Sequence, residues 1–206
     1  RQASRFYNLG FSHSLSPLDH HNPHKPMQPL LVILDLDETL FHASEVPLDR
    51  PADFEVCEKY HVYLRPGLAE FLEGLFSRFK VATWTAATED YASQIVDNIL
   101  PEGAPVEFLW CRNRCSPRHD FESHEEYWLK NLSKIKRKGY TLERTLFVDD
   151  TSRNLEKHYG NLVTICPFEG DLADDELRPL LDYLCTFENC TNVRKVEKRN
   201  WRKRVA

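Results

Sequence analysis

Two carboxylates and a hydroxyl come directly after an apolar stretch of the chain. The residues Leu30 to Leu34 lead into Asp35, and Asp37 and Thr39 follow at alternate positions. An apolar run without alternation predicts a strand buried on both faces in a parallel sheet, and ligands bind at the carboxyl ends of such strands. Two carboxylates this close raise each other's pKa unless a cation or hydrogen-bond donors hold them. The motif therefore predicts a metal site and different roles for the two acids. A polar turn with Asp and Thr as capping residues is the simpler alternative.

A second apolar stretch also ends in acids. The residues Thr145 to Val148 precede Asp149 and Asp150. Because the carboxyl ends of parallel strands meet at one edge of a sheet, we expect the two acidic pairs to lie close together.

Two further residues are placed to serve the same crevice. Thr85 follows the apolar stretch Val81 to Trp84 and precedes a helix that Thr88 is predicted to cap. Its hydroxyl and the backbone N–H groups after it are therefore candidates for holding an anion, although a second capping residue fits the turn equally well. Lys130 lies at a predicted junction between a loop and a short helix, and it is the best candidate for a cation near the acids.

The other elements alternate between strands and helices, and this predicts an α/β fold with a parallel sheet and right-handed crossovers. Apolar residues recur at helical spacing in three segments, and two further apolar runs read as strands. The helical positions are Leu68, Phe71, Leu72, Leu75 and Phe76; Tyr91, Ile95 and Ile99; and Leu177, Leu180, Leu181 and Leu184 after a capping Asp174. The strands are 106–110 and 162–166.

Two segments interrupt this alternation. The polar insertion from Phe41 to Tyr60 is predicted to lead into two short antiparallel strands over the mouth of the crevice. The stretch from Cys111 to Trp128 is predicted to be long and irregular, and it carries Arg112 among several basic and aromatic residues. Loops of this length are often functional.

The charge is distributed unevenly. The net charge of the chain is −5, and the segment from Arg194 to Arg204 holds seven basic residues against Glu197. That segment therefore carries +6 and the rest carries −11. An acidic body disfavours a domain that coats nucleic acid, and we expect the basic tail to be solvated rather than bound to phosphate.

The chain divides into a leader at 1–29, one domain at 30–190 and the basic tail at 191–206. The leader is rich in Pro and His, and we expect it to be extended with solvated histidines. Neither a membrane span nor a secretory signal is visible. Six cysteines include no Cys-x-x-Cys pair, so we expect reduced thiols in a cytosolic protein, with zinc at Cys111 and Cys115 as the alternative.

The ordered set of motifs resembles the haloacid dehalogenase superfamily of phosphotransferases. The resemblance rests on Asp35-Leu36-Asp37-Glu38-Thr39, Thr85, Lys130 and Asp149-Asp150, and it covers about residues 30 to 190. With Leu64-Arg65-Pro66-Gly67, Trp84-Thr85-Ala86 and Val148-Asp149-Asp150-Thr151, the chain is more narrowly similar to the small phosphatases of RNA polymerase C-terminal domains, the NLI-interacting-factor type. The resemblance implies a Rossmann-like sheet of strand order 5-4-1-2-3, with a small β insertion after the first strand and no large cap.

The resemblance also implies roles for individual residues. Asp35 would attack phosphorus and form an aspartyl phosphate, and Asp37 would act as general acid and base. Mg²⁺ would be held by Asp35, Asp37 and Asp150, with Asp149 beside them, and Lys130 would offset charge. Thr39 would fix the Asp37 loop. Thr85 and the N–H of Ala86 would bind phosphoryl oxygens, with Arg112 near the phosphate.

These roles predict a Mg²⁺-dependent phosphatase of phosphoserine or phosphothreonine in a protein, since an open site suits a protein segment better than a small metabolite. Two alternatives remain open. One is a non-catalytic binding module, and the other is a polynucleotide-end phosphatase that uses tail residues such as Arg199 and Trp201. We expect a monomer that does not bind membranes and is cytoplasmic, or nuclear in a eukaryote.

Overall fold

The computed structural model describes residues 27–120 and 124–205. Most of the predicted leader lies outside the described residues, so its extended form and its solvated histidines stay predictions. Within the described ranges, the structure contains no helix with the length and apolar character needed to cross a membrane.

In the described part of the chain ten strands form three sheets, and the largest is the predicted parallel one. In chain order the strands are β1 (Leu31–Leu34), β2 (Phe41–Ser44), β3 (Phe54–Val56), β4 (Tyr60–Leu64), β5 (Lys80–Trp84), β6 (Val106–Trp110), β7 (Ser116–His119), β8 (Glu126–Leu129), β9 (Thr145–Asp149) and β10 (Leu162–Thr164). The parallel sheet has the order β10-β9-β1-β5-β6. This is the predicted order 5-4-1-2-3, with the first strand in the centre.

The central strand explains where the core lies. All four residues of β1 are fully buried. Val32 and Leu34 pack into the larger apolar cluster on one face, and Leu31 and Ile33 pack into the cluster on the other face. A strand covered on both faces needs no alternation of apolar and polar residues, which is why its sequence is a continuous apolar run.

The helices cover this sheet. Residues of α1 (Leu68–Phe76), α2 (Glu89–Ile99) and α3 (Leu177–Cys185) join the larger cluster. Gly67 precedes α1 with φ 76°, a left-handed conformation that glycine adopts without strain. Short 3-10 helices complete the fold, at Arg112–Arg114, Leu132–Lys138, Leu142–Arg144, Ser152–Leu155, Tyr159–Asn161, Val193–Lys195 and Trp201–Arg204.

The two irregular segments are more ordered than predicted. The insertion forms a three-stranded antiparallel sheet, β2-β4-β3, where the sequence predicts two strands. The expectation of an irregular segment after Cys111 is wrong in part, because β7 and β8 pair there as an antiparallel hairpin. Most side chains of β7 are exposed, so the hairpin lacks the apolar alternation that identifies a strand in a sequence.

The prediction that the basic tail is solvated is wrong in part, because most of its basic side chains are exposed but other tail residues pack against the domain. Val193 and Trp201 are buried, and Trp201 Nε1 donates to the Thr164 carbonyl at 2.8 Å. Lys198 is also buried, and its ammonium donates to the carbonyls of Gly160, Val193 and Val196. The tail therefore packs along β10, and Trp201 is not available to stack on a nucleic acid strand.

Candidate active site

A buried lysine joins the first and fourth strands of the sheet. Lys130 follows β8 and is fully buried, and its ammonium donates to Asp149 Oδ2 at 2.8 Å. The same nitrogen lies 2.8 Å from Asp35 Oδ1. Asp35 Oδ1 is itself buried, so this second contact is a buried ion pair. The structure thus brings together Asp35, Asp149 and Lys130, as the sequence predicts.

Asp150 completes a cluster of three carboxylates. One oxygen each of Asp35, Asp149 and Asp150 lie within 4.8 Å of one another, and within the described ranges this is the one group with the spacing of a metal site. The cysteines take no part in such a group, so the structure gives no support to zinc at Cys111 and Cys115. Hard carboxylate oxygens at this spacing fit a divalent cation such as Mg²⁺.

The two neighbouring acids of β9 have different surroundings. Asp149 is fully buried, and both its oxygens are engaged, one with Lys130 and the other with the Thr151 N–H at 2.8 Å. Asp150 is partly exposed and accepts from the hydroxyls of Thr39 at 3.3 Å and Thr151 at 2.9 Å. The Thr39 side chain therefore contacts Asp150. The family resemblance implies instead that Thr39 fixes the Asp37 loop.

Asp37 faces hydroxyl groups where Asp35 faces a cation. Tyr91 donates to Asp37 Oδ1 at 2.7 Å, and Thr85 donates to Asp37 Oδ2 at 3.2 Å. The Thr85 hydroxyl also accepts from the Ala87 N–H at 2.9 Å. The Asp37 side chain thus points to α2 and away from the carboxylate cluster.

The pKa values of Asp35 and Asp37 are both raised, but different interactions oppose this rise. Burial raises the pKa of Asp35 well above its ordinary value, against the lowering effect of Lys130. Burial also raises the pKa of Asp37, against hydrogen bonds from Tyr91 and Thr85. Neighbouring Glu38 has a pKa of about 7, because it is desolvated and lies near Asp37, Asp150 and Glu169. Burial therefore opposes ionisation of these acids, and a bound metal cation would favour their charged forms further.

The turn after β5 is held by an arginine. Arg112 donates from Nε to the Ala86 carbonyl at 2.7 Å, and its guanidinium lies 5.1 Å from the Trp128 ring. The backbone N–H of Arg112 donates to the Ala87 carbonyl at 2.8 Å. Arg112 is exposed beside the turn of Thr85 and Ala86, as predicted, and the structure adds that it stabilises that turn.

Sequence reasoning missed two residues of the site. In the sequence Tyr91 occupies an apolar position of α2. Its hydroxyl, shortly after the Thr85 turn, is the one sign that Tyr91 could contact the site. Arg65 reads as a helix start, but it is buried and donates to the Thr39 carbonyl at 3.0 Å and to both oxygens of Asp174. Asp174 thus holds Arg65, and its Oδ1 also accepts from the Glu176 N–H at 3.1 Å just before α3 begins, as expected of a capping residue.

Comparisons with known proteins agree with this geometry. The model of the family described as NLI interacting factor-like phosphatase matches residues 30–194. The chain is 30% identical over 178 residues to a "Probable C-terminal domain small phosphatase" of Dictyostelium discoideum, covering 82% of this chain and 55% of the relative. It is 29% identical over 171 residues to the human "Carboxy-terminal domain RNA polymerase II polypeptide A small phosphatase 1", covering 80% of this chain and 60% of the relative.

Among solved structures, the fission yeast RNA polymerase II CTD phosphatase Fcp1 superposes with a TM-score of 0.53 at 18% identity. The match covers 81% of this chain and 53% of that chain. This similarity supports the fold. The chain spans little more than half the length of the curated relatives described above.

Proposed function

We propose that this chain, which belongs to the NLI interacting factor-like phosphatase family, is a phosphatase that hydrolyses phosphoserine or phosphothreonine in proteins through an aspartyl phosphate, with Mg²⁺ as cofactor. The observation that carries this proposal is the difference between Asp35 and Asp37. One faces a cation and a carboxylate cluster, and the other faces two hydroxyl donors.

Mg²⁺ would be held by the carboxylates of Asp35 and Asp150, and by the backbone carbonyl of Asp37 as the family resemblance implies. Asp149 is less suited to be a direct ligand, because it is fully buried and one of its oxygens holds the Lys130 ammonium, whereas Asp150 is partly exposed and its oxygens are bound only by hydroxyl groups. When bound, the cation would reduce the repulsion between the phosphate dianion and the nucleophile. We therefore assign Asp149 to holding Lys130 and Asp150 to holding the metal.

In the first step an oxygen of Asp35 attacks phosphorus and the bond to the substrate oxygen breaks. Asp35 is suited to this because it lies at the carboxyl end of the central strand, next to the ammonium of Lys130. The ammonium would neutralise negative charge that builds up on the phosphoryl oxygens. The N–H of Ala86 would donate to the same oxygens, in a turn that Arg112 holds through the Ala86 carbonyl.

Asp37 would donate a proton to the leaving oxygen and then take one from the attacking water. Its raised pKa favours the protonated form in the first step. Tyr91 and Thr85 hold the carboxyl group and partly stabilise its charged form, which the second step requires. Such proton transfer contributes about 10²- to 10⁴-fold to a rate.

The protein nature of the substrate is supported by the small insertion and by the names of the relatives. The β2-β4-β3 sheet has three short strands and does not form a large cap. An open crevice admits a phosphorylated side chain on an extended segment. The relatives are named as phosphatases of an RNA polymerase domain, and a phosphorylated protein is the substrate class that we adopt from them.

The test is a single-turnover reaction with a ³²P-labelled phosphoserine peptide in Mg²⁺, quenched with acid. We expect transient label on the wild-type protein, more label on Asp37→Asn because breakdown of the intermediate slows, and none on Asp35→Asn. Asp175→Asn is the matched control, since Asp175 is exposed outside the crevice. Label on Asp35→Asn, or full turnover in excess EDTA, would refute the mechanism.

A further inference from the structure

A basic groove lies beside the candidate active site, between the edge strand β10 and the folded tail. Its volume is about 940 Å³. Residues at the end of β10, such as Thr164 and Cys166, form one wall, and the segment from Arg194 to Arg202 forms the other. We call this feature the tail groove.

The charge of the tail groove is strongly positive. Its lining includes Arg194, Lys195, Lys198, Arg199 and Arg202 against the single acid Glu197. Two of the arginines are already paired, since Arg199 binds Glu197 and Arg202 binds Glu176. Arg194 and Lys195 are exposed, and their side chains have no ion-pair partner among the described residues. These two cations are thus free to bind an anionic group from outside.

The tail groove is rigidly anchored at both ends. The Lys198 ammonium donates to the Gly160 carbonyl at 2.7 Å, and Trp201 Nε1 donates to the Thr164 carbonyl at 2.8 Å. Exposed Tyr159, with 81% of its surface accessible, stands at the rim. A fixed backbone removes the part of the entropy cost of binding that would come from ordering the segment itself.

The tail groove is close to the carboxylate cluster. Thr164 pairs with Asp149 in the parallel register of β10 and β9, and neighbouring strands lie about 4.8 Å apart. Ser152, two residues after Asp150, also lines the tail groove. An extended peptide advances about 3.3 Å per residue. Arg194 packs against Gly160, which precedes β10 and is four residues from Thr164, a distance of roughly 13 Å along an extended strand. A segment about five to seven residues from a phosphorylated side chain in the crevice would therefore reach Arg194 and Lys195.

We propose that the tail groove binds an acidic segment that flanks the phosphorylated residue of a protein substrate. This inference rests on the proposed function for the identity of the substrate. The charge distribution favours a peptide over nucleic acid, because a polynucleotide carries negative charge along its whole length and would meet a body of −11 outside the basic segment. In a peptide, by contrast, the acidic residues can be confined to the part that lies in the tail groove.

The binding arm of the test does not depend on catalysis. A fluorescein-labelled, unphosphorylated peptide with Glu residues on both sides of one Ser is titrated with wild-type protein, and anisotropy is measured. The comparison peptide has Gln in place of every Glu. We expect the acidic peptide to bind about tenfold more tightly at low salt, and we expect the difference to shrink as NaCl is added. Equal affinity for both peptides would overturn the proposal.

Two double variants locate the site. Arg194→Glu with Lys195→Glu should remove the preference for the acidic peptide. Arg137→Glu with Lys138→Glu makes the same change in net charge at exposed residues near the opposite edge of the sheet, where Lys138 lies 5.4 Å from the Phe108 ring. We expect this control to keep the preference within twofold. Loss of preference in both variants would mean general attraction and would overturn the groove as the site.

The catalytic arm uses the phosphorylated forms of the same two peptides and p-nitrophenyl phosphate. The Arg194→Glu, Lys195→Glu variant should lose about tenfold in kcat/KM on the acidic phosphopeptide and less than twofold on the other two substrates. If no substrate is hydrolysed, the proposed function fails, while the anisotropy still tests the tail groove. Tighter binding of a labelled single-stranded DNA than of the acidic peptide would overturn the assigned partner.

Discussion

Two lysines are buried among the described residues, and their surroundings differ in kind. Lys130 lies between Asp149 and Asp35, which raise the pKa of Lys130 although burial lowers it. Lys198 donates to three main-chain carbonyls, and desolvation lowers the pKa of Lys198 to about 8. Lys130 thus neutralises carboxylates of the candidate active site, whereas Lys198 holds a segment of the chain in place through uncharged main-chain carbonyls.

The same distinction separates the two acids of the first motif. Asp35 lies against the Lys130 ammonium, and Asp37 accepts from the neutral hydroxyls of Tyr91 and Thr85. A nucleophile needs its negative charge, whereas a general acid needs a proton that it can release. The charged partner of Asp35 thus suits a nucleophile, and the neutral partners of Asp37 suit a general acid.

The largest effect should follow from Lys130→Met. This change leaves Asp35 and Asp149 buried without their counter-charge, and breaking a buried pair costs about 3–5 kcal/mol of stability. We also expect a loss of about 10²- to 10³-fold in kcat, because a cation at the phosphoryl oxygens is removed. Urea unfolding in EDTA and phosphopeptide hydrolysis in Mg²⁺ measure the two effects.

Adding Asp149→Asn to Lys130→Met separates stability from catalysis. The double variant should regain part of the lost stability, since one uncompensated carboxylate is gone, while its activity stays low. Recovery of activity would show that Lys130 only neutralises Asp149.

A smaller loss is expected for Lys198→Met. Carbonyls that lose a buried donor cost about 1–3 kcal/mol, and the tail should loosen from β10. Because Lys198 touches no residue of the carboxylate cluster, hydrolysis of p-nitrophenyl phosphate should stay within twofold of wild type. A large loss of this activity would contradict the separation between the two lysines.

The pH dependence of stability should carry the signature of Lys198. The folded-state pKa of about 8 lies below the ordinary value of 10.5. Between these values the unfolded chain binds more protons than the folded protein, so this group makes stability rise as pH increases from about 8 to 10.5. The rise should appear as the difference between wild type and Lys198→Met in urea unfolding at several pH values. A difference that falls over this window would be inconsistent with a desolvated ammonium.

The smallest effect should come from Tyr91→Phe. Tyr91 stabilises the carboxylate of Asp37, so its removal raises the pKa of Asp37 further. The pH at which the general acid loses its proton should move upward, and the alkaline limb of kcat/KM for a phosphopeptide should move with it. At neutral pH we expect a change of about tenfold or less, as one hydrogen bond makes a net contribution of about 0.5–1.5 kcal/mol. Tyr140→Phe, whose hydroxyl instead donates to Glu107, is the control and should leave the profile unchanged.

The elements that carry the acids could be predicted because their signals are local. The apolar run before Asp35 and the run before Asp149 each identify a buried strand without reference to the rest of the chain. The strand order came from the resemblance of the ordered motifs to a family. The hairpin β7–β8 was missed because its exposed side chains show no alternation, and the docking of the tail was missed because seven basic residues look solvated when their partners are unknown.

The amino-acid sequence by itself determined which strands end in carboxylates, since hydrophobic burial and the polarity of a parallel sheet fix that edge. Only the tertiary structure decided which group faces which. Lys130 meets Asp149 from 19 residues away, Tyr91 meets Asp37 from 54, and Thr39 meets Asp150 from 111. Such contacts depend on how separate elements pack, and neither composition nor periodicity records that packing.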